Sequence, residues 1–134
     1  MSLETKKLEA DLENDYIARK QTFIKDETGM PITFKINWAS FGEAKPDMFP
    51  LIEGAVNEIT NKIVSMSTDA TSKAAIGEAI SSIEISHDAA ISVPEDFKIS
   101  VANKILSFSA NFEIYTIDDT SSHKSFRQTL EETL

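Results

Sequence analysis

Two histidines, His87 and His123, are the side chains of this chain best suited to moving a proton near neutral pH. Asp88 follows His87 directly, but successive residues of a strand point to opposite faces, so Asp88 cannot orient its own neighbour as a catalytic pair requires. A His87-dependent hydrolase or isomerase would need a carboxylate brought from elsewhere in the chain. His123 falls where a final helix is expected to begin, and the positive end of a helix dipole disfavours imidazolium there.

The candidate metal ligands are Asp47, Asp88, Asp118, Asp119 and the two histidines, and no pair has the i, i+3 or i, i+4 spacing that preforms a site on a helix. Asp118-Asp119 lacks the alternating oxygen ligands and central glycine of a calcium loop. The chain has no cysteine, which removes thiolate zinc sites, disulfides and cysteine nucleophiles together. Its four glycines, at 29, 42, 54 and 77, are too dispersed to cradle a phosphate, and no serine sits in a G-x-S-x-G elbow. No metal and no cofactor are expected.

What remains for chemistry is recognition. Trp38, the single tryptophan, stands where a strand gives way to a proline-bounded loop that also holds Phe41, Glu43, Met48 and Phe49. Large amphipathic rings at such a junction either anchor the core or centre a recognition patch. The binding residues expected on the second reading are Trp38, Phe41 and Phe49, lining a groove beneath the loop, together with Glu43 of the same loop and His87 and Asp88 at the end of a predicted strand.

The elements that must position them follow from hydrophobic periodicity. Residues 2–28 predict one long helix with Leu8, Leu12, Tyr16 and Phe23 on one stripe and Ile17 and Ile24 flanking it, stopped by Gly29 and Pro31. Ile32, Phe34 and Ile36 alternate with polar residues as a half-buried strand, and Trp38 has the same parity. After the loop over 39–50, Ile52, Ala55, Val56, Ile59, Ile63 and Met66 repeat at helical spacing. Ser67, Thr68 and Asp69 can cap a shorter helix, which runs into a strand ending near His87. Beyond the loop with Pro94, Glu95 and Asp96, two alternating stretches flank Asn103 and Lys104 as a tight hairpin. Phe126, Leu130 and Leu134 suggest a last helix.

The order α-β-α-α-β-β-β-α predicts an α+β fold over residues 1–134 as one domain. Its four-stranded sheet is expected to be mostly antiparallel, with helices packed on one face, because each strand has one oily and one wet side.

Charge narrows the partners. The formal net charge is −9, and residues 67–134 carry 5 basic against 11 acidic side chains. Without clustered Lys and Arg, neither nucleic acid nor anionic lipid is an expected ligand; a basic protein partner is. No stretch approaches the length of apolar residues that spans a bilayer, and Met1–Ala10 contains no secretory apolar run, so a cytoplasmic location is expected. The oily stripe of the first helix also allows a homodimer.

Three functions follow in order. The first is a non-enzymatic protein-interaction module of adaptor, inhibitor or immunity type. The second is a binder of small apolar ligands between sheet and helices, walled by Phe97, Ile99, Phe108 and Phe112. The third is the His87 hydrolase.

Overall fold

A computed structural model describes residues 2–93, 97–115, 128 and 132. The expected helix over Phe126, Leu130 and Leu134, together with His123, Asp118 and Asp119, lies outside these residues except at Gln128 and Glu132, whose side chains hydrogen-bond at 3.2 Å.

The first helix runs unbroken from residue 3 to residue 28 but is not α-helical throughout. Helix α1 (Leu3–Asp11) passes into a π-helical segment (Leu12–Ile17) and then into α2 (Ala18–Thr28). The Ser2 hydroxyl accepts from Thr5 N–H at 3.1 Å and caps the start. Gly29, at φ +78°, takes the left-handed conformation that ends α2. The wider π turn re-phases the helix, bringing Leu12 and Ile17, five positions apart, to the core together. The expected stripe is corrected by this shift: Phe23 is 41% exposed, whereas Ile17 and Ile24 are buried.

Strand β1 (Thr33–Ile36) follows, then short 3-10 turns at Trp38–Phe41 and Pro46–Met48. Helix α3 (Phe49–Met66) carries Pro50 in its first turn, where a missing N–H leaves nothing unpaired. It buries the residues predicted for it, Ile52, Ala55, Val56, Ile59, Ile63 and Met66. Helix α4 (Ala70–Ala79) is capped by Asp69, whose carboxylate accepts from Ser72 N–H at 2.8 Å and Ser72 Oγ–H at 2.9 Å.

Strands β2 (Ser82–His87), β3 (Lys98–Ala102) and β4 (Ile105–Ala110) complete a sheet of order β1-β2-β4-β3. The α+β class holds, but the sheet is not mostly antiparallel. β1 pairs with β2 and β2 with β4 in parallel, and β3 pairs with β4 antiparallel. Alternating burial reports that helices cover one face; it does not report strand direction. Two helices between β1 and β2 bring the chain back in the same sense, as a parallel return requires.

The β3–β4 hairpin turns at Asn103 and Lys104, with φ of 54° and 64°, the positive pair of a type I′ turn. The covered face buries Phe34, Ile36, Ile83, Ile85, Leu106 and Phe108 against the helices in one continuous core. No helix among the described residues is long and apolar enough to cross a membrane.

Candidate binding groove

β1 is an edge strand, and its backbone parity decides what that edge offers. Thr33 N–H donates to Ser81 C=O at 3.3 Å and Asn37 N–H to Ile85 C=O at 2.8 Å. Residues 33, 35 and 37 therefore turn their peptide groups toward β2, and Phe34 and Ile36 turn theirs outward. Phe34 N–H is taken by the Gln21 side chain, whose Oε1 accepts it at 2.8 Å. An amide from the helix thus stands where a neighbouring strand's carbonyl would stand. Among the described residues nothing pairs with the N–H or C=O of Ile36.

The first helix runs beside this edge without closing on it. A cleft of about 390 Å³ separates them, lined by Glu13, Ile17 and Gln21 from the helix and Phe34, Lys35, Ile36 and Trp38 from the strand side. On the other side of Gln21 a second cleft of about 310 Å³ continues along the edge, between Ala18, Gln21, Thr22 and Lys25 and the segment 31–33. Ile17, Ile32, Phe34 and Ile36 are buried beneath the two. The π-helical segment supplies Glu13 and Ile17 to this wall. Trp38 closes one end: its Nε1–H donates to the Glu13 carboxylate, and its ring packs on Phe41 and Phe49 at centroid distances of 5.6 and 5.8 Å.

The residues singled out from sequence separate here. Trp38 is half-buried and lines the groove, whereas Phe41 and Phe49 are buried beneath it and line none of the described clefts. Glu43 is exposed in the loop.

His87 ends β2 beneath the loop. Its N–H donates to the Ser40 hydroxyl at 2.8 Å, its ring stacks on Phe41 at 5.2 Å, and its Nδ1 accepts from Phe112 N–H at 3.1 Å. Accepting at Nδ1 places the ring proton of neutral imidazole on Nε2. Among the described residues no carboxylate hydrogen-bonds this ring, and the described clefts do not reach it.

Asp88 instead accepts from Ala90 N–H at 3.0 Å and from Lys98 at 3.3 Å, which together hold its carboxyl below the usual aspartate range. Glu113 is likewise held low by its 2.8 Å bond from Lys45. The carboxyl ends of β1, β2 and β4 all lie at this end of the sheet, where open parallel sheets commonly bind ligands. Phe41, His87 and Phe112 stack across it.

Phe97, Phe108 and Phe112 also pack on one another or on the buried Tyr115, with centroids 5.4–6.4 Å apart, and Ile99 is half-buried beside them. The groove residues Ile17, Gln21, Lys25 and Lys35 were not distinguished by the sequence. Only the placing of β1 at an edge gives them meaning. Among the described residues no three His, Asp or Glu side chains converge to hold a metal ion. Comparison with protein-family models, curated proteins and solved structures finds no match to this chain.

Proposed function

We propose that this chain is a non-enzymatic protein-interaction module of adaptor, inhibitor or immunity type, acting in the cytoplasm, with the seam between the first helix and β1 as its contact surface. The observation that carries the reading is the outward edge of β1: backbone groups of Ile36 without a described partner, set above buried apolar side chains and beside a half-buried tryptophan. Unpaired strand edges invite another chain, and proteins commonly cover or blunt them. Here the helix stands alongside and leaves a gap.

Net charge of −9 supports a protein partner over nucleic acid or an anionic membrane. The alternative, a small apolar ligand between sheet and helices, has less support, because the side chains expected as its walls are packed on each other. A reaction centred on His87 has less still, since its Nδ1 is engaged by a backbone N–H.

Site-directed photo-cross-linking in the cells that encode the protein tests the reading. Benzoylphenylalanine is placed singly at Thr22 and Thr33 in the groove, and at Glu78 and Lys104 away from it. The expected result is an adduct of one defined mass from at least one position. Absence of any adduct from all four would overturn the interaction reading.

A further inference from the structure

We infer that the chain pairs with a second copy of itself, edge to edge through β3, so that two four-stranded sheets join into one of eight strands. This surface lies at the opposite edge of the sheet from the groove and does not depend on it.

Backbone parity defines what β3 offers. The two-residue turn at Asn103 and Lys104 makes Ala102 and Ile105 a pair that exchanges backbone hydrogen bonds, and such pairs alternate along the hairpin. Lys98, Ser100 and Ala102 therefore turn their peptide groups toward β4, and Ile99 and Val101 turn theirs outward. Among the described residues nothing pairs with these outward groups. At the β1 edge Gln21 fills the place beside Phe34, and β3 has no such cover among the described residues. Nor does β3 carry the usual deterrents to edge pairing. It has no proline, no bulge in its register with β4, and a single charge at its end, Lys98, which is drawn to Asp88 at 3.3 Å.

Side chains favour the same contact. Ile99 and Val101 are register partners of the buried Phe108 and Leu106, on the face that the helices cover, yet they are themselves only half-buried. An antiparallel copy related by a two-fold axis through Ser100 sets Ile99 against the second copy's Val101, and Val101 against its Ile99. That register satisfies all the outward peptide groups of both strands and closes an apolar seam between them.

The charges permit it. The net charge of −9 arises elsewhere, since residues 97–112 contain two lysines, Lys98 and Lys104, and no carboxylate. Of the carboxylates on neighbouring elements, Asp88 is held by Lys98, Glu113 by Lys45, and Glu84 lies two strands in, beside its register partner Lys35. Lys98 falls opposite Ala102 of the copy, so the two Lys98 side chains start about 13 Å apart, beyond the screening length of about 8 Å. A slip of the pairing toward the hairpin tip would instead set Lys98 against Lys104. Five residues a side make a small interface, below about 1,200 Å², so the dimer should exchange with monomer and be half formed at roughly 10–100 μM chain.

Sedimentation velocity on the full chain should show monomer giving way to dimer across that range, and the Ile99 and Val101 amides should gain hydrogen-exchange protection as concentration rises. The chain has no cysteine, so single introduced thiols report the register. Under mild oxidation Ser100→Cys is expected to form a disulfide-linked dimer, because directly opposed residues of a non-hydrogen-bonded pair have Cα atoms about 4.5 Å apart, within disulfide reach. Lys98→Cys alone and Ala102→Cys alone should not link, whereas a mixture of the two should. Val101→Pro removes an outward donor without touching the bonds to β4, and should weaken association at least about tenfold with the circular dichroism spectrum unchanged.

Monomer at every concentration up to about 1 mM would overturn the inference. So would a dimer that Ser100→Cys does not link, which would place the contact on another surface. Protection of Ile99 and Val101 that is equal at all concentrations would overturn it too, since the edge would then be covered from within the chain.

Discussion

At the scale of single residues, His87 shows how a group that looks reactive in a sequence acts as a structural acceptor. Its Nδ1 takes the N–H of the buried Phe112. An orphaned buried N–H costs about 1–3 kcal/mol. His87→Phe keeps the stacking on Phe41 and removes the acceptor, so we expect urea unfolding to show a loss of about 1–2 kcal/mol and the Phe112 amide to exchange faster. Unchanged exchange at Phe112 would refute this role. Trp38 could be picked out from the sequence because its type and its place at a strand end are both unusual. Gln21 and Ile36 could not, because one is an ordinary helix-surface residue and the other an ordinary core residue. Their significance arises from a backbone parity that becomes visible only when β1 is known to be an edge.

At the scale of elements, caps and turns were the most legible features, since each is a local bargain between side chain and backbone. Asp69 caps α4, and its carboxyl is held below the ordinary aspartate range by the Ser72 N–H and hydroxyl. A lowered folded value means that the cap's contribution is complete above the unfolded aspartate range and is lost as pH falls through the folded value. Thermal melts should therefore show Asp69→Ala to be less stable than the parent near neutrality, with the gap narrowing in acid. Asp69→Asn should keep most of the cap and lose its acid sensitivity.

The hairpin offers a second test. Lys104 sits at φ +64°, which is strained for a side-chain-bearing residue, so Lys104→Gly is expected to raise stability by about 1 kcal/mol in chemical denaturation. The π-helical segment was not legible, because one residue of extra winding does not disturb a helical pattern enough to be seen. Deleting the exposed Asn14 should return the segment to α-helical winding at a cost within about 1 kcal/mol. A deletion at Asn57 in the regular helix α3 should cost more, since it shifts every core residue beyond it. If the two deletions proved equally damaging by urea titration, the re-phasing account would be wrong.

At the scale of the whole molecule, the class and the covered face of the sheet could be read from periodicity, and the strand directions could not. Direction depends on how a connection travels, and the two helices between β1 and β2 are compatible with either return until their packing is known. The interior also has a chemical signature. Burial, reinforced by the Glu58 carboxylate, pushes the Tyr115 hydroxyl up to about 12. Because this lies above the unfolded tyrosine value of about 10, the associated stability is whole below that value and is lost as pH rises toward about 12. Denaturation followed across this alkaline window should show a slope that Tyr115→Phe reduces, and an identical slope in the two proteins would exclude the assignment.

The Lys104 carbonyl, at the tip of the β3–β4 hairpin, accepts from Ser81 N–H at 2.8 Å, from Ser82 N–H at 3.3 Å and from the Ser81 hydroxyl at 3.2 Å. Of the three strand pairings, only this hairpin joins neighbours through a two-residue turn, and contacts close in sequence form sooner than distant ones. The hairpin closes the shortest loop of the sheet, and its tip presents a ready latch for the first residues of β2. The same surface carbonyl therefore ties the start of β2 to the turn between β3 and β4, so that one loop tip fastens three strands of the sheet at that end.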